Sequence, residues 1–320
     1  MASRGLREAV AAGAVVALVF GVLTIWSSIW PPMVVIESGS MMHQEGCLDP
    51  LDRDRDGDRQ CTPYGRFGTM DPGDIMLVKR VEDARHVETL LDRGEPRYGY
   101  SGDVILFYPN NNTAGIPIIH RALTWVEVAG TGPGRTYVVD WTNDERLHFG
   151  PEGIYLPEFG IDERYGYPRD SSFKPTRSGF ITRGDNPLTN PASDQALKIS
   201  PLVEPGWIQA TAHGEIPWFG LMKLALGADI NQPFPPISWV RVGNAFAPAD
   251  LWVMLGVVIG VLLAIPIAID VWRALQERRR DREAEERRER VERERAAATA
   301  EGAAENERAN ATRRGRTRRG

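Results

Sequence analysis

Three short clusters carry the residue types of nucleophilic acyl chemistry. The first, VVIESGSMMH from Val34 to His43, sets Ser40 on a Ser-Gly-Ser turn directly after an apolar strand. A serine on such a turn exposes its oxygen, and Gly39 lets a substrate backbone come close. The second, GIPIIHRAL, places His120 in an apolar, β-like segment. Neutral imidazole is the natural base for a serine hydroxyl at ordinary pH, and it needs a carboxylate to fix its tautomer and stabilise the imidazolium. The third, FITRGDNPLTNPASDQ, offers Asp185 and Asp194, and either can orient the histidine. Each cluster has a plainer reading by itself: a common loop turn, a satisfied core histidine, and aspartates that cap turns. Their order along the chain, behind an apolar anchor, favours the chemical reading.

Those residues must be held beside a membrane. The run AVAAGAVVALVFGVLTIWSSIW, residues 9–30, has no charge. At 1.5 Å per residue it is about 33 Å long as a helix, enough to cross a ~30 Å hydrocarbon core. It ends in SSIWPP rather than a small-x-small cleavage site, so it reads as an uncleaved anchor rather than a signal peptide. A second run, LWVMLGVVIGVLLAIPIAI, lies between Asp250 and Asp270 and predicts a span over 249–270. Pro266 is tolerable in such a helix. Trp26, Trp30, Trp252 and Trp272 sit near the run ends, where amphipathic rings favour the interface. Arg4 and Arg7 precede the first run, and Arg273, Arg278, Arg279, Arg280 and Arg282 follow the second. Positive flanks stay inside, so both termini (1–8 and 271–320) are expected in the cytoplasm and residues 31–248 outside it, in a two-pass protein of the cell membrane.

Charge is distributed unevenly. The chain has 38 Lys+Arg against 43 Asp+Glu, a net charge of −5, and only four lysines, Lys79, Lys174, Lys198 and Lys223. An acidic, lysine-poor balance suits solubility at high salt and equally suits a GC-rich coding sequence. From Val271 onward, 16 Arg and 11 Asp+Glu give the tail +5 and leave the rest at −10. ERRRDREAEERRERVERER can form a helix laced with ion pairs, whereas ATRRGRTRRG reads as disordered. Membrane lipid headgroups are partners such a tail can meet, but its mixed signs favour a solvated tail that fixes topology, and no specific nucleic-acid partner is expected.

The stretch between the two runs reads as β. DIMLVKRV, DVILFYP, YVVDW, GFITR and WIQATA cluster or alternate apolar residues over strand lengths, between loops rich in Gly, Pro and Asn. WFGLMKLALG is the one short helical pattern, either lying on the membrane surface or buried as a core helix. The expected architecture is therefore mainly β: one extracytoplasmic domain held by an N-terminal and a C-terminal transmembrane helix.

Together, the N-terminal anchor, ESGSMMH, MDPGDIMLVKR, SGDVILFYP, IIHRAL and TRGDN…D resemble the type I signal peptidases, S26-family serine endopeptidases, over about residues 34–220. In the bacterial branch a lysine serves as base where IIHR stands here; His120 at that place is similar to the archaeal and ER branch. The resemblance implies a signal-peptidase-like β catalytic domain with Ser40 as nucleophile, His120 as general base, Asp194 as third member and Asp185 as a supporting acid. It implies that the Ser38 hydroxyl joins the Ser40 amide in an oxyanion hole, with Gly39 and Met41 beside the substrate. It also implies removal of signal peptides from secreted pre-proteins, with no cofactor required, and the secretion translocon as a possible partner. Residues near 43–70 and 129–176 lie outside the family pattern as insertions. Two other readings stay open: a narrow-substrate membrane peptidase on the same scaffold, and a non-catalytic adaptor working through its basic tail.

The first insertion has chemistry of its own. DRDRDGD places Asp52, Asp54, Asp56 and Asp58 at the spacing that opens an EF-hand calcium loop, but Pro63 stands where the closing glutamate belongs. Cys47 and Cys61 flank it; in an oxidising compartment a disulfide there would stabilise by roughly 3 kcal/mol. The motif reads either as a structural calcium site or as a solvated acidic loop. Equilibrium dialysis decides: the calcium reading predicts bound Ca²⁺ at millimolar concentration, and no binding there removes it.

Overall fold

The computed structural model describes residues 4–42, 67–92, 96–187, 189–227, 241–242, 245–246 and 249–316. The calcium and disulfide candidates, Asp52, Asp54, Asp56, Asp58, Cys47 and Cys61, lie outside them. The chain forms two units, residues 1–255 and 256–320.

The first unit is built on antiparallel β structure. Eight strands form its main sheet: β1 (Met33–Val35), β2 (Ile75–Arg80), β3 (Val104–Phe107), β4 (Ile118–Ala129), β5 (Thr136–Asp140), β6 (Arg146–Phe149), β7 (Gly179–Arg183) and β8 (Ile208–Ile216). Their order is β1-β2-β8-β3-β4-β5-β6, with β7 also paired to β4. The long β4 is the junction. Its Arg121 faces Val104 of β3 on one edge and Arg183 of β7 on the other, and further along Val126 lies between Val139 of β5 and Gly179 of β7. GFITR is buried at every position, as a strand covered on both faces requires. In β2, Met76 and Val78 point inward, two residues apart, while Lys79 and Arg80 are exposed. A two-stranded hairpin pairs β9 (Arg241–Val242) with β10 (Ala245–Phe246).

Among the described residues, two helices are long and apolar enough to cross a membrane. The first, α1, runs Arg4–Ser27 and so stops three residues short of the expected Trp30. Ser28 turns left-handed at φ 54°, the Ser27 hydroxyl bonds to the Ile29 carbonyl at 2.9 Å, and Pro31 disfavours helix at Trp30. The second, α3, is continuous from Ala249 to Arg316. The ATRRGR segment, expected to be disordered, is therefore helical as far as Arg316, in line with the run of strong helix formers before it. An Arg293–Glu289 pair at 3.0 Å shows the expected i,i+4 pattern along its charged length.

The stretch 129–176, left unassigned by sequence, is folded. It supplies the β5–β6 hairpin and then a lobe whose Ile154, Leu156, Phe159 and Ile161 share one core with Leu123 and Val126 of β4 and Ile181 of β7. A second core packs Ile36, Met41, Met70, Met76, Val104 and Ala212 under β1. The short helix α2 (Gly220–Gly227) takes the core reading at Leu221, which is fully buried. Gly73, at φ +102°, is the only residue type that fits there: a Cβ would meet Leu221 Cδ2 at 2.2 Å.

A group of carboxylates closes the end of β2 near β1. Asp74 accepts bonds from the Asp71 and Trp218 amides at 2.8 and 2.9 Å, and its carbonyl accepts from the Ile36 amide at 2.9 Å, so it ties three segments together. Glu215 accepts from the Gly68 amide, and its other oxygen, Oε2, is buried without a hydrogen-bond partner among the described residues. Burial pushes both acids up to about 7, with the charge of Asp71 adding to it. A carboxylate raised in this way favours the fold most below its ordinary value of 4.5, and that contribution is lost as pH rises towards 7. Glu215→Gln is expected to melt at the wild-type temperature near pH 4 and above it at pH 8. Equal Tm values at both pH values would contradict this account.

Candidate active site

The three clusters read from sequence meet around β4. β1 ends at Val35, and after Ile36 the chain leaves the sheet edge into one 3-10 turn, Gly39–Met41, that lies against β4. Met41 is 1 % exposed in the core under β1. Its side chain is an apolar peg that fixes the turn. Ser38 and Ser40 stay accessible, exposed and half-buried respectively. Their hydroxyl oxygens are 3.1 Å apart.

The turn is docked on the GDN loop. The Asn186 side-chain amide donates to the Gly39 carbonyl at 2.7 Å, and its backbone amide donates to the Ser40 carbonyl at 2.9 Å. Gly184 allows this approach, since a Cβ there would lie 2.4 Å from the Ser40 carbonyl oxygen. Sequence reasoning passed over Asn186. The available signal was a buried-type strand, GFITR, running straight into Gly-Asp-Asn, a sequence suited to presenting backbone and amide donors.

His120 sits on β4, paired with Ile105 of β3, and is 5 % exposed. Its Nδ1 lies 2.9 and 2.8 Å from the two oxygens of Asp194, which is 0 % exposed. Thr182 of β7 donates its hydroxyl to the same carboxylate at 2.6 Å. The Asp194 amide donates to the Thr182 carbonyl at 2.8 Å, which locks the acid to the strand beside the histidine. A carboxylate facing Nδ1 holds the proton there and leaves Nε2 as the lone-pair nitrogen. Among the described residues no hydrogen bond joins Ser40 to His120.

Asp185 has a different task. Arg121, the next residue on β4, takes it in a buried two-point ion pair, Nε to Oδ1 at 2.9 Å and Nη2 to Oδ2 at 2.6 Å. Neighbouring residues of a strand point to opposite faces, so His120 and Arg121 serve opposite sides of β4. The Arg121 guanidinium also donates to the carbonyls of Arg97, Tyr98, Tyr100, Ser101 and Gly102. It thereby joins the 97–102 loop to the GDN loop. Arg121 was also missed, although an arginine inside an apolar strand signals an acid partner.

The described residues contain no group of three or more His, Cys, Asp or Glu able to hold a metal ion. No family model, no curated protein and no solved structure matches this chain.

Removing Arg121 alone leaves Asp185 buried without its cation, a loss on the order of 3–5 kcal/mol. Arg121→Met is expected to lower Tm steeply in detergent, and Arg121→Met with Asp185→Leu to lower it less. A single variant no less stable than the double would show that the ion pair is not what holds these loops.

Proposed function

We propose that the chain is a membrane-anchored serine endopeptidase of the type I signal peptidase kind, cutting signal peptides from secreted pre-proteins. The observation that carries this reading is the buried His120–Asp194 contact on β4, the same strand against which the Ser40 turn lies. Support also comes from the two membrane-capable helices and from the position of Ser40 thirteen residues beyond the end of α1. A substrate whose signal sequence sits in the bilayer presents its cut site close to the surface, within reach of such a serine. The flanking arginines favour both termini in the cytoplasm and the β domain outside.

In this mechanism His120 Nε2 takes the Ser40 proton as Oγ attacks the scissile carbonyl. The Ser38 hydroxyl and the Ser40 amide stabilise the oxyanion, a contribution typically of 10²–10³-fold for one such donor. The imidazolium, steadied by Asp194, returns the proton to the leaving amine. Water then enters and its oxygen attacks the acyl carbon as His120 takes its proton; the C–Oγ bond breaks to free the carboxylic acid, and His120 returns the proton to Ser40 Oγ.

The test is cleavage of a radiolabelled secretory pre-protein by the detergent-solubilised chain. Wild type is expected to cut at the mature N-terminus. Ser40→Ala and His120→Ala are each expected to lose activity by roughly 10³-fold or more. Undiminished cleavage by His120→Ala would remove His120 as base, and an inactive wild type on several pre-proteins would remove the signal-peptidase reading.

A further inference from the structure

The lobe that follows β6 touches the acid's segment at three points. The Phe159 carbonyl accepts a bond from the Ser193 amide at 2.9 Å. The Tyr167 hydroxyl donates to the Gln195 carbonyl at 2.8 Å. Between them, Gly160 lies so close to Ala192 that a Cβ on it would come within 2.4 Å of the alanine methyl. The residues before and after Asp194 are thus each held by one bond from residues 159–167. Gln195 carries the hold onward: its side-chain oxygen accepts from the Thr182 amide at 3.0 Å, and its amide donates to the Pro201 carbonyl at 3.0 Å. Thr182 in turn bonds the Asp194 carboxylate.

We infer that this lobe is the element that positions the catalytic acid, with Tyr167 as a positioning residue that keeps Asp194 against His120. The inference rests on the peptidase reading for its effect on turnover, and on geometry alone for its effect on the His120–Asp194 contact. The segment bearing Asp194 belongs to no strand, and the sheet reaches it through Thr182 of β7 and through His120 itself. A loop residue holding catalytic geometry needs locking from a packed shell, because small displacements of such a group are costly in rate. The lobe supplies that shell through Ile154, Leu156, Phe159 and Ile161, which bury against Ala192 and Ala196 on either side of the acid. Tyr167 is itself oriented by an edge-on ring contact with Phe173, with centroids 5.8 Å apart.

Tyr167→Phe removes one hydroxyl and keeps the ring. Tyr155→Phe is the control: it removes a hydroxyl of the same lobe that donates to Glu163, away from Asp194. Two readouts on the full chain in detergent are used: the kcat and KM of pre-protein cleavage, and the low-field proton resonance of His120 Nδ1–H. Tyr167→Phe is expected to lower kcat on the order of 10-fold with KM unchanged and to shift or broaden the resonance. Tyr155→Phe is expected to alter neither. An unchanged resonance in Tyr167→Phe, or the same response in Tyr155→Phe, would overturn the positioning role. If wild type cleaves no pre-protein but Tyr167→Phe alone moves the resonance, the positioning role stands and the peptidase reading falls.

Discussion

A carboxylate taken fully out of water must have its lone pairs occupied, or it loses its charge or the fold. Asp194 meets this requirement with His120 Nδ1 and the Thr182 hydroxyl, and the local architecture depends on keeping those three groups together. β4 carries the histidine, β7 carries the threonine, and the pairing of these two strands sets the distance between them. The acid arrives from a loop, so it is the member whose place requires the most support. The same contact that occupies the buried carboxylate leaves Nε2 as the free imidazole nitrogen.

Two aspartates nine residues apart were equally able to orient the histidine on sequence grounds, and the fold separates them by strand geometry. The alternation of side chains along β4 sends His120 and Arg121 to opposite faces. Asp194 meets the first and Asp185 the second. The Arg121 pair is a structural joint. With its five carbonyl acceptors it binds the 97–102 loop to the GDN loop, and that loop holds the carbonyls of Gly39 and Ser40 through Asn186. The Ser40 turn is consequently held by the buried Met41 and by Asn186.

Much of this was legible in the sequence, for identifiable reasons. GFITR and VILF stand out because apolar runs of strand length, bounded by Gly, Asp and Pro, have few other ways to be buried. The two membrane-capable helices follow from length and apolarity alone. The end of α1 was misplaced because hydrophobicity does not register a left-handed serine followed by two prolines. The helix through ATRRGR was missed because charge composition was weighed above the propensity of the preceding segment. Tertiary roles were the least legible. The local signals at Asn186 and Arg121 mark hydrogen-bonding residues but not which distant partners they reach, and nothing local to Tyr167 marks its bond to the Gln195 carbonyl. The lobe after β6 was opaque because its core is shared with β4 and β7 and is not its own.

The central claim is that Ser40 is a nucleophile activated by His120. The most direct measurement is covalent labelling of the detergent-solubilised chain by a peptide phosphonate with small residues before its electrophile, the label being located by tandem mass spectrometry. The account predicts a single adduct on Ser40 that is lost in His120→Ala. An adduct on another residue, or undiminished labelling of Ser40 without His120, would contradict it.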